Sequence, residues 1–171
     1  NNGEIETEYI AGSKFQNYGI IKSENNLIMD VNELHSGNRH SITAKNDLKI
    51  NSIGYVLTYG GKISAKNILI DASLISYIGE MYAEKKIDLK SRKGYIDNLG
   101  KMVGETIVLD SAASAGNYSE MIGHDITFKA RQGVNLRSGK LKVHTLRVIA
   151  PGFPSLPSDT FPYEIYYEEY N

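Results

Sequence analysis

The residues of this chain best suited to chemistry are its histidines, a few carboxylates and its tyrosines. His124 and His144 lie 20 residues apart, and Glu84 and Glu105 precede them at closely similar intervals. In a chain that repeats at that interval the four form one column. Neighbouring side chains would then sit about 4.8 Å apart, and Glu84, Glu105, His124 and His144 so placed are ligands suited to a divalent ion such as zinc. The plainer reading is an exposed turn that holds four polar residues. No His-Glu-x-x-His spacing supports a catalytic metal, and no cofactor is expected. His35 and His40 flank Gly37-Asn38 and read as solvated loop residues. Asp71 and Asp110 would share another column two repeats apart, roughly the 9–10 Å at the far end of the range for an inverting glycosidase pair. Lys90 would stand between them, and a cation there works against a protonated general acid. The chain has no Cys, so thiolate metal sites, disulfides and Cys nucleophiles are all excluded. It also lacks a Gly-x-Gly-x-x-Gly or phosphate-loop match. Tyr55, Tyr59, Tyr77, Tyr95 and Tyr118 read as outward-facing, an aromatic surface for a glycan or protein partner. The alternative is that they are simply good strand formers.

These residues need a framework, and the composition limits what it can be. With 171 residues the chain has room for a buried core, and 41% hydrophobic against 23% charged residues fits a folded domain. A net charge of −1 gives no reason to expect nucleic acid. No apolar run approaches the roughly 18 residues of a membrane helix, so no membrane span is expected. The charge is unevenly placed. Residues 151–171 carry Asp159, Glu164, Glu168 and Glu169 and no Lys or Arg, so the tail holds −4 and residues 1–150 hold +3. All four Pro and the Tyr163, Tyr166, Tyr167, Tyr170 cluster also follow residue 150. The expected division is a body over 1–150 and a Pro/Tyr-rich acidic tail over 151–171. That tail would either cap the body, with Phe153, Phe161 and Ile165 over its core, or link it to a further domain.

The body repeats. Gly61 to Ala72 reads Gly-Lys-Ile-Ser-Ala-Lys-Asn-Ile-Leu-Ile-Asp-Ala, and Gly100 to Ser111 reads Gly-Lys-Met-Val-Gly-Glu-Thr-Ile-Val-Leu-Asp-Ser. Gly79 to Ser91 repeats it with one residue inserted. The first apolar position recurs at Ile21, Ile42, Ile63, Met81, Met102, Met121 and Leu141, with Ile5 as a degenerate earlier copy. An apolar pair follows each time, from Leu27/Met29 through Ile107/Leu109 to Leu146/Val148. Within each unit apolar and polar residues alternate, the period of a strand. Short strands at a fixed period near 20 predict an all-β chain. The fold expected is a right-handed parallel β-helix of about seven rungs over residues 21–150, with the tail at its C-terminal end. An antiparallel sandwich meets the spacing too, but has no need of like residues at matched positions. Two outer columns follow: Asp30, Asn51, Asp71, Lys90, Asp110, Lys129, with carboxylate against ammonium, and Asn25, Asn46, Asn67 at a turn.

Gly61 to Ala72, and Gly-Tyr-Ile-Asp-Asn-Leu-Gly-Lys-Met-Val-Gly-Glu-Thr-Ile-Val-Leu-Asp-Ser from Gly94 to Ser111, resemble the haemagglutinin repeat of filamentous-haemagglutinin-like exoproteins. The resemblance covers roughly residues 19–150. It implies a right-handed β-helix, secretion through an outer-membrane pore transporter and a place on the bacterial cell surface. It further implies a non-enzymatic adhesin or a toxin-delivery stalk, whose partner is a host or neighbouring-cell surface protein or glycan. The secretion-signal domain of that family is not recognisable, and the tail from Pro151 matches no part of the pattern, which suggests a segment of a longer fibre. Two other readings of a β-helix stay open at this point: a carbohydrate-active lyase or hydrolase, and a bactofilin-like cytoskeletal polymer, whose rungs are shorter and more uniform.

Overall fold

A computed structural model describes residues 1–170 and is all-β. Every strand pairing in it is parallel, and matching strands of successive turns stack into one continuous solenoid of about nine turns. Each turn supplies three strands, so the solenoid has three faces. The turn that includes Gly94 to Ser111 shows the plan. Ile96–Asn98 lies on the third face, Lys101–Val103 on the first and Thr106–Ser111 on the second. The second face carries nine strands, from Tyr9–Asn17 to Glu164–Glu169, about 38 Å tall at the ~4.8 Å spacing of parallel strands. The count exceeds the expected seven because a turn over residues 4–17 precedes Ile21 and the tail adds a final strand.

The core is built from columns of like residues. Ile5, Ile21, Ile42, Ile63, Met81, Met102, Met121 and Leu141 stack in register on the first face. On the second face Leu48, Ile68, Ile87, Ile107, Ile126 and Leu146 form one inward column, and Ile50, Ile70, Leu89, Leu109, Phe128 and Val148 another. The third face adds Leu34, Val56, Ile75, Ile96, Ala115 and Val134. All of these except the partly exposed Ile5 are buried in one cluster. The residue inserted between Gly79 and Ser91 appears as a register shift between Ala83 and Lys86, which restores the pairing on both sides.

Some outward expectations need correction. The Asp30-to-Lys129 column exists in register. Its ion pair, however, joins Asp71 to Arg92 rather than to Lys90, and Asn51 donates to Asp30 at 2.8 Å. Arg92 sits at the corner, where its guanidinium also reaches the Ser52 and Ile53 carbonyls, so it outcompetes the stacked lysine. Of the Asn column, Asn46 donates to Asn25 at 2.8 Å, but Asn67 has moved one position along and donates to Asp47 at 2.9 Å.

The tail leaves the solenoid at Pro151, where no N–H can continue the ladder. It crosses the end and returns as Glu164–Glu169, paired with Thr145–Ala150. The residues that cover the end are Leu156, packed on the core, Pro157 and Thr160, whose hydroxyl donates to the Leu141 carbonyl at 3.1 Å. Phe161 stays almost fully exposed, and Phe153 and Ile165 are partly exposed. Ile165 continues the inward second-face column above Leu146 and is exposed because no turn lies over it, whereas Phe153 and Phe161 lie in the connection between Ala150 and Glu164. Among the described residues no tail carboxylate pairs with a basic side chain. The tail grips the body through its rings. Arg147 lies 4.4 Å from the Tyr166 ring centre, Arg131 and Lys129 approach Tyr170, and Tyr163 stacks on His144 at 4.9 Å.

Two predictions follow from this packing. Ile107→Asp places an unpaired carboxylate in the core and should cost several kcal/mol, while Thr106→Asp on the outer side should change the melting temperature little. Equal losses in the two variants would mean that the faces are reversed. Deleting residues 151–171 should lower the melting temperature and produce concentration-dependent association by light scattering, because the Lys140–Ala150 edge and the core above it open. A truncated protein that melts unchanged and stays monomeric would show that the tail does not cap.

Candidate functional site

The turn from the third face to the first recurs with one chemistry. Asn17-Tyr18-Gly19, Thr58-Tyr59-Gly60, Tyr77-Ile78-Gly79, Asn98-Leu99-Gly100 and Asn117-Tyr118-Ser119 occupy equivalent corners. The first residue points inward and bonds the backbone of the bend. Asn98 accepts from Gly100 N–H at 3.1 Å and donates to Asn117 at 2.8 Å and to the Glu120 carbonyl at 2.9 Å. Thr58 exchanges bonds with the Ile78 backbone, and Tyr77 donates its hydroxyl to the Glu80 carbonyl at 2.7 Å. The third residue is pressed against the turn beneath it. Gly79 has φ +124°, and a Cβ on Gly100 would collide with the Gly79 carbonyl oxygen. With the first residue held inside and the third against the backbone, the middle residue is forced outward. A column of exposed Tyr18, Tyr59, Ile78, Leu99 and Tyr118 results.

A second column, with Tyr55 and Tyr95 exposed and Leu74 half-buried between them, runs parallel to it on the third face. Tyr55 pairs with Leu74, and Tyr95 occupies the same position one turn further. Between the columns lie Leu57, Ser76, Asp97 and Gly116. The half-buried Ser76 and Asp97 lie between the more exposed Tyr55, Tyr95 and Tyr59, Ile78, Leu99, a shallow trough along the axis that ends where the Tyr118 ring covers Gly116. Segments 53–60, 73–79, 94–100 and 113–119 contain 29 residues and one formal charge, Asp97, although the chain as a whole is 23% charged. Asp97 makes no hydrogen bond or ion pair among the described residues. Burial on this apolar face raises its pKa.

Of the aromatic surface expected from the sequence, Tyr55, Tyr59, Tyr95 and Tyr118 are exposed and lie together on this face. Tyr77 is not part of it. It is fully buried at a corner position that Asn or Thr fills in neighbouring turns, and burial pushes its phenol pKa far up. Leu74, Ile78, Leu99 and Asp97 are the additions. Their signal was the scarcity of charge in these segments.

The structure brings the expected metal column together only in part. His124 and Asp125 both donate backbone N–H groups to the Glu105 carbonyl, which places Glu105 directly beneath. The His124 and His144 rings stack face to face at 4.4 Å and 11°. Their planes run parallel, and their Nδ1 atoms are engaged by Asp125 at 3.0 Å and Thr145 at 2.9 Å. Among the described residues no three His, Asp or Glu side chains are grouped to hold one ion, and Glu84, Glu105, His124 and His144 are no such group. Asp71 and Asp110 flank Lys90 as expected, with Asp71 tied to Arg92.

His40 departs from its expected solvated position. It is 2% exposed, and its Nδ1–H donates to the Gly37 carbonyl at 2.6 Å. Its Nε2 is buried without a partner, as are Asn17 Nδ2 and Ser36 Oγ. Burial lowers its pKa. The unfolded chain therefore takes up the proton first as pH falls through about 6.5, so His40 makes the fold less stable on the acid side of that value. The melting temperature should drop more between pH 7.5 and 5 in the native protein than in His40→Asn. Parallel curves would place the effect elsewhere.

The chain matches no protein-family model, and no curated protein or solved structure matches it.

Proposed function

We propose that the chain is a non-enzymatic scaffold, a segment of a secreted or cell-surface bacterial β-helical adhesin or toxin-delivery stalk. The observation that carries the reading is the coincidence of repeat and rung. The two stretches that resemble the haemagglutinin repeat, Gly61 to Ala72 and Gly94 to Ser111, lie on stacked strands of the solenoid, and the second spans a whole turn. Rungs locked in register resist bending and extension, which suits a rod that holds a surface away from a cell. The charge-poor trough is the part of that rod suited to a partner, a host or neighbouring-cell surface protein or glycan. Among the described residues no helix is long and apolar enough to cross a membrane, and on this reading export runs through an outer-membrane pore transporter.

Protease treatment of intact source cells, followed by detection with an antibody to this chain, tests the location. The expected result is loss of the epitope from intact cells, and retention of the protein inside cells that lack the transporter. Full protection in the presence of the transporter until the cells are lysed would overturn the reading.

A further inference from the structure

We propose that the trough on the third face binds a neutral, extended glycan laid along the solenoid axis. The proposal rests on the scaffold reading for its biological sense, while the site itself stands on geometry. Tyr55 and Tyr95 occupy one column two turns apart, which is about 9.6 Å at the parallel-strand spacing. That interval is close to two pyranose units of an extended β-linked chain, so both rings can meet equivalent sugar faces. Stacking on the C–H face of a sugar asks for a flat, exposed, uncharged ring, and both are exposed. Between the ridges Asp97 is an acceptor without a partner, and Ser76 adds a hydroxyl beside it. Two adjacent sugar hydroxyls would complete the hydrogen bonding that the carboxylate lacks.

The same features select against other occupants. Within segments 53–60, 73–79, 94–100 and 113–119 the one formal charge is negative, so uronic, sulfated or sialylated chains laid across them meet repulsion at Asp97; the other charges of this column, Glu33 and Lys14, lie in the turns below Tyr55. The third-face strands are paired with neighbours on both sides, so a peptide cannot add as a further strand there. A second copy docked symmetrically about the trough would bring two unpaired carboxylates together in an apolar interface.

The test is amide chemical-shift titration of the chain with cellohexaose, chitohexaose and, as a charged control, a heparin hexasaccharide. The expected result is shifts from at least one neutral hexasaccharide, confined to residues 55–59, 74–78 and 95–99. Tyr55→Ala and Tyr95→Ala should each weaken binding about tenfold or more, and Asp97→Ala should do the same. Tyr9→Ala, on the second face, should leave binding unchanged, and melting curves confirm that each variant is folded. Three results overturn the proposal: no shifts with either neutral sugar at millimolar concentration, shifts with heparin alone, or shifts on the same residues from dilution without sugar, which would mark self-association. Each of these leaves the surface location readable by protease treatment, so failure of the site and failure of the scaffold reading are separate outcomes.

Discussion

No single turn of this chain can bury its own apolar face. A three-stranded turn presents one or two apolar residues per strand toward the axis and leaves its backbone N–H and C=O groups pointing along that axis. Both needs are met only by another turn placed directly above in register. Ile63 must lie over Ile42 and under Met81, because a slip of one residue would turn an inward column outward along the whole face. The remaining features follow from this condition. Corner residues must be small or must replace backbone bonds, outer residues fall into columns, and the last turn needs a cover.

The corner between the third and first faces links folding to surface chemistry. An inward Asn, Thr or Tyr takes over hydrogen bonds that the bend removes from the ladder. An orphaned group there would cost about 1–3 kcal/mol. A consequence of satisfying it is that the next side chain must face solvent, whatever its type. The direction of Tyr18, Tyr59, Ile78, Leu99 and Tyr118 is thus set by the corner, and each stays partly exposed. Five large apolar side chains that each stay more than a third exposed in one column form a surface suited to a use outside the chain.

Much of the solenoid was legible in the sequence because two of its three faces repeat with near-constant residue types. The first-face column and the second-face pair can be read directly, and their spacing gives the period. The third face hid from the same reading. Its inward residues shrink to Ala115 at one turn, its strands are three or four residues long in most turns, and its inner corner is polar. Buried Asn98 and Asn117 look in sequence like exposed turn residues, and Tyr77, which does their work with a longer reach, looks like an outward tyrosine. His40 is a parallel case: a histidine beside Gly37-Asn38 reads as loop, yet its ring turns inward to bond that loop's own carbonyl. The tail's departure at Pro151 was legible from proline chemistry. Which apolar residues it folds inward depends on the loop path, which local sequence does not fix.

Distances between spin labels along one outer column test the central claim most directly, and a chain without Cys accepts labels at chosen positions only. Ile28, Lys49, Leu69, Asp88, Val108, Thr127 and Arg147 share a column on the second face. Cysteine pairs at positions 49/127, 49/147 and 28/147 are four, five and six turns apart. Stacking in register predicts label separations that rise by about 4.8 Å per turn, near 19, 24 and 29 Å. Separations that fail to rise in that order, or that group at one value as strands of a two-sheet sandwich would give, would contradict the solenoid.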